Sequence, residues 1–153
     1  MSLGGGGGLD QLSQQLEALE QERDALEAEV EDLTEEKSEV REAQDAIETL
    51  ETGDTVQVPL GGGAYVRAEI QDVDELVVEL GGGYAAEQDQ EGAIDRLDSR
   101  KETVDDRIDD VRSEIGEIES EIERLRDQAR QVQQQQLQQQ MGGMAQQGDQ
   151  PDE

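Results

Sequence analysis

The residues that could do chemistry in this chain are few, and their spacing limits what that chemistry can be. Leu-Gly-Gly-Gly occurs twice, at 60–63 and 80–83, and glycine-rich loops can cradle phosphates through their backbone N–H groups. Neither run is followed by Lys-Ser or Lys-Thr, and neither opens a helix as G-x-G-x-x-G, so nucleotide binding finds no support. Asp72-Val73-Asp74 starts like a calcium loop. Leu76 then stands at an oxygen-ligand position and Val77 where glycine is needed, so a structural turn is expected there. The sequence has no His and no Cys. Ser-His-Asp triads, cysteine nucleophiles, ordinary zinc sites and disulfides are thereby excluded. Carboxylates abound, but on exposed helix faces with no pocket to raise a pKa they are solvated charge. No catalytic residue, cofactor or metal is expected, and no enzyme.

What remains is charge. Asp and Glu number 41 against 12 Lys and Arg, a net charge of −29. That balance argues against nucleic acid phosphates and anionic membrane as partners. Glu27/Glu31, Glu31/Glu35, Glu35/Glu39, Asp105/Asp109, Asp106/Asp110, Glu117/Glu121 and Glu119/Glu123 are like charges at i,i+4. Each disfavours an exposed helix by roughly 0.2–0.5 kcal/mol at low salt. At about 1 M salt the Debye length falls to about 3 Å and most of that repulsion is screened. An acidic coat suited to molar salt accounts for these pairs better than recruitment of a basic partner does. "MSLGGGGGLDQL" lacks the features of a signal peptide, and no run of apolar residues approaches a membrane span. A cytoplasmic protein is the expectation.

The elements that carry this charge are long helices. Leu12, Leu19, Leu26, Leu33, Val40 and Ile47 recur every seven residues, interleaved at spacings of three and four with Leu9, Leu16, Arg23, Val30, Lys37 and Gln44. This is a coiled-coil seam. Gly53 is placed to terminate it. A second tract pairs Ile94, Lys101, Ile108, Ile115, Ile122 and Ala129 with Leu97, Val104, Val111, Ile118, Leu125 and Val132, with Asp89 as candidate N-cap. Both tracts would run about 57 Å at 1.5 Å per residue. Equal lengths around one insert favour an antiparallel hairpin over two segments that each pair with another chain.

Between the helices the period changes from 3.5 to two. Val56, Val58 and Leu60, then Val66, Ala68 and Ile70, then Leu76, Val78 and Leu80, with Tyr84 following, form one apolar face on each of four short strands. Both glycine triplets fall at hairpin turns, where positive φ is needed. Two isolated hairpins are marginal in water and present unpaired edges. Those ten residues are therefore expected to pair with other subunits. The fold class is mostly α with a small β insert: an antiparallel two-helix coiled coil joined by two tandem β-hairpins. The expected layout is a flexible glycine-rich leader over 1–8 and a single domain over 9–132. That domain comprises a helix 9–52, a double hairpin 54–87 and a helix 89–132. A Gln-, Met- and Gly-rich disordered tail covers 133–153.

With "VQVPLGGGAYVRAEIQDVDELVVELGGGYAAEQ" at 56–88 between heptad helices of equal length, the chain resembles the archaeal prefoldin α subunit from Leu9 to about Val132. The doubled insert points to α, since a β subunit would carry a single hairpin, and the acidic, lysine-poor composition looks haloarchaeal. The resemblance implies a hexamer of two α and four β subunits whose hairpins form a double β-barrel platform carrying six coiled-coil tentacles. It further implies nucleotide-independent capture of non-native proteins at the tentacle tips and delivery to a group II chaperonin. On that reading client contact would rest on apolar residues at the distal helix ends: Leu3, Leu9 and Leu12 at one terminus, Val132, Leu137, Met141 and Met144 at the other. For Leu9, Leu12 and Val132 the favoured reading is that they merely finish the seam. Met among flexible Gln and Gly suits a surface that repacks against many clients. A structural coiled-coil scaffold, or an acidic protein that sequesters basic partners, are the competing readings.

Overall fold

A computed structural model describes the backbone of residues 3–147 and the side chains of residues 7–142, Leu80 excepted. The element order is α1 (Leu3–Thr49), β1 (Thr55–Gly61), β2 (Ala64–Glu69), β3 (Leu76–Gly81), β4 (Tyr84–Gln88) and α2 (Gln90–Gln147). Two long helices thus flank two antiparallel hairpins.

The helix bounds differ from the expected 9–52 and 89–132. α1 starts at Leu3, so the glycines at 4–8 are helical, and α2 runs on through the glutamine tract to Gln147. Composition marked both stretches as flexible. A helix that is already nucleated extends at the cost of one residue at a time. Glutamine is a good helix former, and each glycine costs only about 1 kcal/mol. At the other end α1 stops at Thr49, and Gly53 does not cap it. Gly53 instead sits at the third position of a turn, closed by the Asp54 N–H bonding the Glu51 carbonyl at 3.1 Å, with φ of +92°.

The chain divides into two compact units, one of residues 31–109 and one of α1 up to Val30 together with α2 from Asp110. In the first, Val40 of α1 and Ala93, Leu97, Val104 and Ile108 of α2 are buried. Lys37 Nζ meets Asp105 at 2.7 Å and Arg100 Nη2 meets Glu36 at 3.0 Å. The helix segments therefore run antiparallel here. In the second unit Val111, Ile122 and Leu125 are buried, and Arg126 Nη2 meets Glu20 at 2.8 Å. These residues fall on the two heptad columns of α2. Most seam residues of α1 are only half-buried, as two helices alone can cover just one side of each other.

α2 is capped as its sequence implies. The Asp89 carboxylate accepts the Gly92 N–H at 2.6 Å, and Glu91 places a negative charge in the first turn, complementing the helix dipole.

The hairpins are separate two-stranded sheets. In the first, Val56 opposes Ala68 and Val58 opposes Val66; in the second, Leu76 opposes Gln88 and Val78 opposes Ala86. Directly opposed residues share a face, so the expected apolar sets do lie together. Gly62 and Gly63 have φ of 62° and 82°, and Gly82 and Gly83 have 63° and 82°. Positive φ at both central residues of a two-residue loop defines the type I′ turn, whose twist matches that of the strands. Gly61 and Gly81, at φ of 96° and 93°, follow a register irregularity that leaves Leu60 and Leu80 without a direct opposite. A Cβ at Gly62 would meet nothing within 4 Å, so the requirement there is conformational and not spatial. Gly62→Ala and Gly63→Ala are each expected to destabilise the first hairpin by about 1–2 kcal/mol. Gly62→Asn should lose markedly less, since Asn tolerates this region. Amide exchange of the β1 and β2 N–H groups measures the difference.

Candidate functional site

The base of the helix pair is fixed by side chains that reach from one helix to the backbone of the other. Gln44, with only 6% of its surface exposed, donates its amide N–H to the Ile94 carbonyl at 3.0 Å and to Asp98 Oδ1 at 2.7 Å. Gln90 returns the arrangement, donating to the carbonyls of Ile47 and Leu50 at 2.8 Å each. These carbonyls lie at and just past the end of α1, where intrahelical partners run out, although that of Ile47 also accepts the Leu50 N–H at 3.3 Å. The first hairpin grows from this base: the Gly53 N–H bonds the Ile70 carbonyl and the Ile70 N–H bonds the Asp54 carbonyl, both at 2.8 Å. The linker between hairpins is held by the Val73 N–H to Thr52 Oγ1 at 3.1 Å, and by Asp72 Oδ1 accepting the Asp74 N–H at 3.0 Å. Asp72-Val73-Asp74 is thus an Asx turn.

The Gln44 amide, and after it Lys101, hold the Asp98 carboxyl below its ordinary pKa. A carboxylate depressed in the folded state stabilises it above the unfolded pKa, and this stabilisation is lost as pH falls through the folded value. In molar salt the folded chain is therefore expected to lose part of its stability as pH falls below about 4, the ordinary Asp value. Asp98→Asn should remove that component of the pH dependence. Thermal melts of both proteins from pH 5 to pH 2 provide the check.

The apolar hairpin faces are open. Val58 is 40% exposed, Leu60 66%, Val66 45% and Tyr84 75%. Val56, Ala68, Ile70, Leu76 and Val78 are half-buried. The side chain of Leu80 lies outside the described residues. Two further large side chains lie on the opposite faces, Tyr65 at 61% and Val77 at 70% exposure. Strand alternation assigns both to polar positions, so sequence reasoning passed over them. Tyr65 opposes Pro59 and Val77 opposes Glu87. Both hairpins thus show solvent some apolar surface on each side and an unpaired edge on each strand.

At the distal ends, Leu9, Leu12 and Val132 are half-buried. Leu12 and Val132 line a groove of about 340 Å³ with Gly8, Gln11, Gln15 and Gln128. Leu137 and Met141 are 57% and 67% exposed. The side chains of Leu3 and Met144 lie outside the described residues. The expected insert residues belong to the unit of residues 31–109, and the expected helix-end residues to the other unit. Among the described residues no three His, Cys, Asp or Glu side chains converge to hold a metal, and no helix is long and apolar enough to cross a membrane.

Known proteins share this plan. A family profile for prefoldin subunits matches residues 9–135. The chain is 67% identical over 106 residues, 68% of its length and 69% of the relative's, to the prefoldin subunit alpha of Halobacterium salinarum. It is 58% identical over 96 residues, 63% of its length and 62% of the relative's, to that of Haloarcula marismortui. A methanogen relative, from Methanosarcina mazei, is 42% identical over 65 residues, 42% of this chain and 43% of the relative. Among solved structures it resembles a chain of the filamentous PFD of Methanocaldococcus jannaschii, with a TM-score of 0.51 and 25% identity, covering 78% of this chain and 95% of that one. Heptad helices, paired glycine hairpins and these relatives agree: the chain belongs to the archaeal prefoldin α-subunit family.

Proposed function

We propose that this chain is the α subunit of a cytoplasmic, nucleotide-independent holdase that assembles with a β-type prefoldin subunit, captures non-native proteins and passes them to a group II chaperonin. Prefoldin subunits are chaperone subunits without enzymatic activity, which sets the class. The observation that carries the assembly is the pair of hairpins with open apolar faces and unpaired edges. Such hairpins need a partner to be stable, and strands from other subunits supply one by closing a barrel. Two hairpins per chain suit a subunit that bridges two barrels, as a complex of two α and four β subunits requires. Leu137 and Met141 at the end of α2 offer adaptable apolar contacts. Several such tips acting together would hold a client that each one holds weakly. The identity to haloarchaeal relatives and the net charge of −29 support a working environment of molar salt.

Light scattering tests this reading. The chain and its β-type partner, assembled in molar KCl without ATP, should suppress aggregation of a denatured protein diluted into them. A variant lacking residues 1–8 and 133–153 should assemble equally and lose most of the suppression. Unchanged suppression by the trimmed assembly would remove the tip assignment. No suppression by the intact assembly would leave a coiled-coil scaffold as the better reading.

A further inference from the structure

A groove on this acidic surface is lined by two arginines, Arg96 and Arg100. It lies within the unit of residues 31–109, beside the second hairpin. Glu79 and Gly81 of β3 bound it on one side, and Arg96, Ser99, Arg100 and Thr103 of α2 on the other, around a space of about 310 Å³. Carboxylates outnumber cations on this chain 41 to 12, although Arg41, Arg67 and Arg112, like Arg96, have none within 4.0 Å among the described residues. Arg100 has taken one: its Nε and Nη2 donate to Glu36 Oε1 at 3.2 and 3.0 Å. Arg96 has none within 4.0 Å among the described residues, although Glu79 lines the same groove.

The two guanidinium groups stand four residues apart on one helix face, a spacing at which like charges repel. The hydroxyls between them are already committed. Ser99 donates to the Asp95 carbonyl at 3.2 Å and Thr103 to the Ser99 carbonyl at 3.1 Å. The free donors in the groove are therefore the guanidinium N–H groups, chiefly those of Arg96. Their planar fork matches a carboxylate.

We propose that this groove receives an Asp or Glu side chain from a neighbouring prefoldin subunit. The proposal rests on the assembly reading above and names a contact within it. The groove adjoins β3, whose Val77 is 70% exposed, and the hairpin tip, where Tyr84 is 75% exposed. A partner that covers Val77, which lies on the same face of β3 as the groove residue Glu79, brings its own rim residues over Arg96. A charge pair at the rim of an apolar contact sets orientation and rejects wrong partners. A carboxylate carried by the partner is also held at high effective concentration by the rest of the interface. A free anion gains nothing from the neighbouring strands.

The test is assembly of the full-length chain with a β-type prefoldin subunit from the same organism, in molar KCl, read by native mass spectrometry over a dilution series. Arg96→Glu should raise the dissociation constant about tenfold or more, and Arg96→Lys, which keeps the charge and loses the fork, about threefold. Circular dichroism of the unassembled variants should match the parent, since Arg96 is exposed. Reversal of one acidic residue of the partner to Arg should rescue Arg96→Glu and so identify the occupant. Equal affinities for parent and Arg96→Glu would overturn this contact and leave the subunit reading intact. A parent chain that does not assemble with the β-type subunit would overturn both. Saturable binding of inorganic phosphate to the chain alone, lost in Arg96→Glu without any change in assembly, would make the groove a free-anion site and overturn the proposal.

Discussion

Transfer from molar KCl to about 10 mM salt is expected to melt most of the helix, because lowering the salt lengthens the Debye length from about 3 Å to about 30 Å. Seven of the i,i+4 acidic pairs in α1 and α2 alone disfavour the helices by about 1.5–3.5 kcal/mol once unscreened. That is a large part of the 5–15 kcal/mol that typically holds a domain together. Longer-range repulsion within a net charge of −29 adds to it. The ion pairs do not offset this. Lys37–Asp105, Arg100–Glu36 and Arg126–Glu20 link the helices, but each is a surface pair worth about 0–1 kcal/mol. Carboxylates outnumber cations 41 to 12, so most of them have none to pair with. Circular dichroism at 222 nm against KCl concentration gives the answer directly. Full helicity at low salt would show that packing outweighs the repulsion.

The second large effect is at Ile122. It is 2% exposed and lies in the unit where Val111 is fully buried. Ile122→Ala removes methyl groups that water never reached and leaves a cavity, so a loss of about 2–5 kcal/mol is expected. Urea unfolding at fixed salt should show the midpoint falling with the slope unchanged. Ile118, half-buried on the neighbouring heptad column, is the comparison: Ile118→Ala should lose less than half as much. Equal losses at the two positions would mean that the seam is not packed as these burials describe.

The contrast between Ile122 and Ile118 also shows what a sequence can carry. Leu97, Val104, Val111, Ile122 and Leu125 announce their burial because a seven-residue period in leucine, valine and isoleucine has few explanations. The glycine triplets announce the turns because only glycine adopts positive φ freely at three successive positions. Ala93 is fully buried and gave no signal, since alanine is equally at home on a helix surface. Gln90 gave none either. Its partners are the carbonyls of Ile47 and Leu50, some forty residues away, and a contact between a side chain and remote backbone leaves no periodicity. Gln44 was visible as a polar residue in an apolar column, but not the Asp98 and Ile94 partners that make its burial tolerable. Tyr65 and Val77 were hidden by the alternation that found their neighbours. The helix ends were misjudged because composition reports the preference of a segment in isolation, whereas these segments continue helices already formed.

The chain has no Trp and no Phe, and its two tyrosines are Tyr65 and Tyr84, one on each hairpin and on faces of opposite sense. Its near-ultraviolet absorption and intrinsic fluorescence therefore arise wholly from the insert, while its far-ultraviolet dichroism is dominated by the helices. The molecule carries two optical channels that scarcely overlap. Tyr65→Leu leaves a chain that glows only from the second hairpin, and Tyr84→Leu one that glows only from the first. Each hairpin can then be followed on its own, with no label attached.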